Sequence, residues 1–169
     1  MPMPAPTPVA HIRPATPADE PFIREVLPRL VAFGPPAWRD ETQLKARDIA
    51  VLLETLHHPA PHSGVFLAEQ QGQPVGVLHL TTSTDFYQQT QAHITDLAVM
   101  WAAEGQGVGR ALLAFAETWA LERGYRWLTL SVFAQNSRAR AVYERAGFEP
   151  DMMSYVKVLP PTGRLQEEE

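Results

Sequence analysis

Three glycines spaced by single residues, in Glu104-Gly105-Gln106-Gly107-Val108-Gly109-Arg110, form the most distinctive chemical pattern in the chain. A strand-like run precedes them and an apolar helical stripe follows. In such a turn backbone N–H groups can converge on one point with no Cβ in the way. The helix start adds partial positive charge, so the place suits a diphosphate. It equally suits a tight strand-to-helix turn that binds nothing. Two other phosphate motifs fail. No Lys-Ser/Thr pair follows the glycines as a P-loop requires, and a dinucleotide fingerprint begun at Gly107 meets Leu112 where its third glycine belongs. A second cluster, His57, His58 and His62, lies in a Pro-rich stretch without an acidic ligand beside it. Adjacent histidines do not readily share one tetrahedral metal site, so this stretch reads as a loop and no metal is expected.

The elements that must position these residues follow from periodicity. A short strand at His11 and Ile12 leads to Thr16-Pro17-Ala18-Asp19, a helix start with a cap, a first-turn proline and a capping-box acid. Phe22, Ile23, Val26, Leu27 and Leu30 stripe that helix, which Pro28 must end or bend. Ile49, Leu52, Leu53 and Leu56 mark a second helix. From Gly64 the period changes: 65–68 and 75–80 read as strands joined at Gln71-Gly72-Gln73, and 94–99 as a third. Val108, Leu112, Phe115 and Trp119 share one face of a strong helix that Gly124 stops. Leu128, Leu130 and Val132 alternate as a strand, Asn136 caps a short helix ending at Gly147, and 153–159 reads as a closing strand. The expected fold is a mixed α/β single domain.

Composition sets the limits. The 169 residues, 45% hydrophobic and 20% charged, fit one domain with a self-sufficient core. Cysteine is absent, which excludes disulfides, thiolate metal sites and a cysteine nucleophile. A net charge of −5 argues against nucleic-acid binding, which needs clustered Lys and Arg, and mildly favours a cationic substrate. No apolar run reaches the length of a membrane span, so no membrane association is expected and the expected location is the cytoplasm. Residues 1–8 and 160–169, the latter an acidic tail, are expected to be disordered around a domain at 9–159.

Two ordered motifs give the chain a resemblance to the GNAT superfamily of N-acetyltransferases. Its coenzyme-A signature is Arg/Gln-x-x-Gly-x-Gly/Ala after a Leu-x-Val-like triplet; here Leu97-Ala98-Val99 is the triplet and Gly107 and Gly109 are the glycines. Its second signature, Asn-x-x-Ala-x-x-x-Tyr-x-x-x-Gly-Phe, is met by Asn136, Ala139, Tyr143, Gly147 and Phe148. Glu104 departs from the pattern, standing where Arg or Gln is usual. The resemblance covers about 10–159. It implies a V-splayed, mostly antiparallel central sheet flanked by helices, the GNAT-like acyl-CoA acyltransferase fold.

The same resemblance implies acetyl-CoA as co-substrate. Its diphosphate would be held by the backbone at Gly105, Gln106, Gly107, Val108, Gly109 and Arg110, and its pantetheine arm would pair with Leu97, Ala98 and Val99 like an added strand. Asn136 sits where the family contacts the coenzyme. The reaction would be direct attack by a primary amine of a small molecule or peptide, in a ternary complex. The amine must lose a proton, the thioester oxygen needs stabilisation and the thiolate benefits from a proton. Tyr143 is the acid by resemblance; read alone, it is a core-facing aromatic on its helix. His93 matches the position, six residues before the triplet's valine, where some relatives carry a base. Asp96 is the runner-up, and strand alternation places it on the opposite face from His93 and Leu97. Phe33, Trp38 and Phe86 would border the acceptor. Two other readings stay open: a catalytically silent CoA-binding regulatory module, and an acyltransferase using a larger acyl-CoA. Polyamines, aminoglycosides, amino acids, peptide N-termini and protein lysines all remain as acceptors, and a homodimer is common in the family.

Overall fold

The computed structural model describes residues 8–161; the terminal segments expected to be disordered lie outside it except for Pro8, Pro160 and Pro161. In chain order the strands are β1 (His11–Pro14), β2 (Gly64–Gln70), β3 (Gln73–Thr84), β4 (Thr90–Val99) and β5 (Leu128–Leu130). The helices are α1 (Glu20–Val26), α2 (Glu41–His57), α3 (Val108–Glu122) and α4 (Ser137–Arg145). Short 3-10 segments at Pro17–Asp19, Leu27–Val31 and Trp101–Ala103 join them. One five-stranded sheet has the order β1-β2-β3-β4-β5, antiparallel throughout except that β4 and β5 run parallel, with α3 as the crossover between them.

Local chemistry explains the ends of these elements. Asp19 accepts the Thr16 N–H at 2.8 Å and both terminal nitrogens of Arg13, and Arg13 also donates to Glu69 on β2. This pairing holds the Asp19 carboxyl below its ordinary value. Pro28 changes α1 into the 3-10 turn Leu27–Val31, the bend its ring requires. The Asp40 side chain accepts from Gln43 N at the start of α2, and that of Asn136 from Ala139 N at the start of α4.

The sheet separates two apolar layers. Against one face lie α1 and α2, burying Ile23, Val26, Leu27, Leu52 and Leu56 with Val65, Leu67, Val77 and Ala98. Against the other lies α3, burying Val108, Leu112, Leu113, Ala116 and Trp119 with Leu78, Leu80, Ala92 and Ile94. These assignments expose a break in the alternation of β4. Leu80 pairs with Ile94 but His79 pairs with Asp96, so Thr95 is an extra residue, a β-bulge. Ala92 and Ile94 therefore share the α3 face with Leu97 and Val99, while His93 joins Asp96 and Ala98 on the α2 face. The expectation that Asp96 and His93 lie on opposite faces is thus corrected: simple alternation does not hold across a bulge.

Two strands also differ from expectation. Val132 lies beyond β5, which ends at Leu130, and it is partly exposed. Residues 153–159 form no strand; Met153, Tyr155, Val156, Val158 and Leu159 are all exposed. The apolar residues there occupy both odd and even positions, so no single face is specified for burial.

Candidate active site

The sheet opens where β4 and β5 part. Only three pairs join them, Ala92–Leu128, His93–Thr129 and Ile94–Leu130, and beyond these β4 runs on to Val99 without a partner on that side. Met100 N–H donates to Val75 O at 2.8 Å. In an antiparallel ladder that bond directs the N–H and C=O groups of Leu97 and Val99 away from β3, toward the opening. No strand therefore pairs with this side of β4 at the triplet Leu97-Ala98-Val99, although Val99 O accepts from Arg29 Nη1.

The glycine turn stands next to this edge. Gly105 and Gly107 are left-handed, at φ +74° and +85°, a conformation that disfavours any side chain. Gly107 is the N-cap of α3 and offers no capping group, and the first turn contains no acid. The first helical bond runs from Ala111 N to Gly107 O, so the N–H groups of Val108, Gly109 and Arg110 have no partner within the helix. Gln106 folds back on Ala102 O at 3.1 Å. Gly109 is different from Gly107. Its φ is not positive, and an added Cβ would touch only Val99 Cγ2, at 3.9 Å. Nothing in the chain demands glycine there. Gly109→Ala is expected to stabilise the unliganded protein by about 0.5–1 kcal/mol through helix propensity, and to weaken the acetyl-CoA binding that the resemblance implies by filling the space before the helix. Thermal melts with and without acetyl-CoA separate the two effects; equal ligand-induced shifts for both proteins would make that space irrelevant to binding.

On the α2 face, polar groups replace the apolar layer. His79, fully buried, joins Asp96 Oδ2 through Nδ1 and Thr55 Oγ1 on α2 through Nε2, each at 2.8 Å. Asp48, also on α2, is half-buried; its carboxyl is pushed up to about 6, chiefly by burial and further by the Asp96 charge. His93 Nδ1 lies 2.8 Å from Thr129 Oγ1, and Thr129 Oγ1 in turn donates to Ala92 O at 3.3 Å. In the tautomer where the Thr129 hydroxyl donates to Ala92 O, Nδ1–H of His93 donates to Thr129 and Nε2 keeps its lone pair. Burial lowers the His93 pKa, Asp96 opposes that shift and His79 adds to it; the net direction is down. A neutral imidazole with an available nitrogen can take a proton from an amine near neutral pH.

Tyr143 is on α4. It packs against the α3-side core, edge-on to Phe148 with ring centroids 6.0 Å apart. Burial raises its pKa, which keeps the hydroxyl protonated at neutral pH. Asn136 caps α4 as expected. Glu104 is not free: Arg29 and Arg138 each hold one of its oxygens. Phe33, Trp38 and Phe86 are exposed, Phe86 with Tyr87 at the tip of the β3–β4 hairpin. The three clustered histidines diverge, His57 pairing with Glu20 and His62 with Tyr125. Among the described residues no group of three or more His, Asp or Glu is placed to hold a metal. Sequence reasoning missed His79, Asp48, Arg29 and Arg138. They sit 17 to 75 positions from their partners, and only the sheet register and the helix packing bring them together.

The candidate site thus combines a β4 edge without a strand partner, an uncapped helix start, His93 on the α2 face and Tyr143 against the α3-side core. The chain matches the Acetyltransferase (GNAT) family across residues 24–148, and it belongs to that family. It is 49% identical over 72 residues to a mycothiol acetyltransferase of Jonesia denitrificans, covering 43% of this chain and 23% of that protein. It is 32% identical over 90 residues to the uncharacterized N-acetyltransferase YhfO of Bacillus subtilis, covering 53% and 60%. The chain thus spans less than two thirds of each of these relatives. Among solved structures, a putative acetyl transferase from Pyrococcus furiosus superposes with a TM-score of 0.67 at 26% identity, over 89% of this chain and 99% of that one. The V-splayed, mostly antiparallel sheet with flanking helices is the fold this family shares. No described helix is long and apolar enough to cross a membrane.

Proposed function

We propose that this protein transfers the acetyl group of acetyl-CoA to a primary amine of a small molecule or peptide, by direct attack within a ternary complex. The observation that carries the reading is the edge of β4 without a strand partner at Leu97 and Val99, set beside the uncapped start of α3. The diphosphate lies on the N–H groups of 105–110, and the pantetheine arm pairs with 97–99. The thioester is then presented between β4 and β5, with Asn136 and Tyr143 on the α4 side. The amine approaches from the α2 side, where Asp48 and Asp96 favour a cationic acceptor. His93 Nε2 removes one amine proton, directly or through one water. The nitrogen lone pair attacks the carbonyl carbon, the C–S bond breaks, the departing sulfur receives a proton from Tyr143, and the second proton of the attacking nitrogen returns to the Tyr143 oxygen as the amide forms. Thiolate is a good leaving group, so positioning and base catalysis carry most of the acceleration.

The test is a panel of polyamines, aminoglycosides, amino acids and peptides with acetyl-CoA, read by release of the free thiol and by mass of the acetylated amine. Turnover with at least one cationic amine is expected. Binding of acetyl-CoA without turnover on any amine would instead make the protein a silent CoA-binding module, and preference for a longer acyl-CoA would change the donor.

A further inference from the structure

Glu104 places a carboxylate beside the turn where the proposed diphosphate lies, which by itself would repel the ligand. Its surroundings reverse that effect. One carboxylate oxygen accepts from Arg29 Nη2, in the 3-10 segment after α1, and the other accepts from Arg138 Nη2 at 2.9 Å, in the first turn of α4. Burial of Glu104 is outweighed by these two partners, and its pKa falls below the ordinary value. Arg29 also donates through Nη1 to Val99 O, on the open edge of β4, and lies 5.6 Å over the Trp101 ring. One carboxylate thus ties together three segments around the opening and leaves a net single positive charge from two guanidiniums. The ends differ in access: the Glu104 side chain is 25% exposed and that of Arg29 22%, against 62% for Arg138. A guanidinium carries five N–H donors, so each arginine keeps donors in reserve.

We propose that Arg29 and Arg138 are ligands for the phosphates of the cofactor, with Glu104 as the positioning residue that holds both at the glycine turn. The inference rests on the proposed use of acetyl-CoA and adds a side-chain anion site to the backbone one. It also gives Arg29 a second part. The Val99 carbonyl it holds is an acceptor that the pantetheine arm would use. Arrival of the cofactor therefore displaces Arg29 from the edge and frees its donors for phosphate, to which arginine binds in a two-pronged fashion.

The experiment is calorimetric titration of coenzyme A into the full-length protein and into R29Q, R138Q and E104Q, at low and high salt. Each arginine variant is expected to bind about tenfold more weakly or worse, with a shallower salt dependence. E104Q, although it removes a negative charge, is expected to bind more weakly as well, because both guanidiniums lose their tether. Tighter binding by E104Q overturns the proposal, since it would show simple repulsion. So does unchanged affinity and salt dependence in both arginine variants while the unaltered protein binds. R138Q alters an exposed side chain, so its fold is secure even if R29Q disturbs packing. Failure of the unaltered protein to bind coenzyme A would remove the proposed function itself, which is a different outcome.

Discussion

Tyr143→Phe is expected to lower kcat about 100-fold with little change in the KM for acetyl-CoA. The substitution preserves the ring, and with it the edge-on contact to Phe148 and the packing on the α3-side core. Only the hydroxyl is lost, so stability should barely change. General acid–base steps are worth about 10²–10⁴-fold, and a thiolate that leaves readily places the effect at the low end. The hydroxyl is protonated at neutral pH and so has a proton to give, although burial raises its pKa further. Steady-state rates should be taken where chemistry limits turnover, since slow product release would mask the loss. An unchanged kcat under those conditions would leave Tyr143 a packing residue.

His93→Ala should reduce kcat/KM by about 10²–10³-fold and remove the acidic limb of its pH profile. In the unaltered protein that limb falls below the ordinary histidine value of about 6.5, because burial lowers the His93 pKa. The sign for Asp96 follows from the bulge. Asp96 faces the same side as His93, and its charge favours the imidazolium. Asp96→Asn should therefore move the limb to still lower pH. His79 on β3 and Asp48 on α2 face the same space, so His79→Gln and Asp48→Asn belong in the comparison. An acceptor of low amine pKa keeps the substrate's own ionisation out of the window. Retention of both rate and profile in His93→Ala would pass the role of base to Asp96 or to a bound water.

Much of this site is visible in the sequence because it depends on local spacing. Gly105 and Gly107 fall in a turn that requires positive φ, and Asn136 falls one residue before a helix that needs a cap. The apolar stripes of α2 and α3 likewise report their buried faces directly. What is hidden depends on register. Nothing in Thr90–Val99 announces that Thr95 is the unpaired residue, because a bulge is a property of two strands together. Alternation therefore assigned His93 to the wrong face. The same limit conceals the Thr55–His79–Asp96 chain, where a histidine in the middle of an apolar strand is satisfied by partners on two other elements. Glu104 reads as an unfavourable charge until Arg29 and Arg138 are placed against it. The segment 153–159 fails for the opposite reason: it has strand-like composition but no partner to bury it.

A thermal melt with added acetyl-CoA tests most directly whether the opening between β4 and β5 is an acetyl-CoA site. At about 100 times its dissociation constant the ligand should stabilise the fold by about 2.7 kcal/mol. For a domain of this size that corresponds to a rise in Tm of roughly 5–10 °C. A melting curve that millimolar acetyl-CoA leaves unmoved would contradict the assignment of that site.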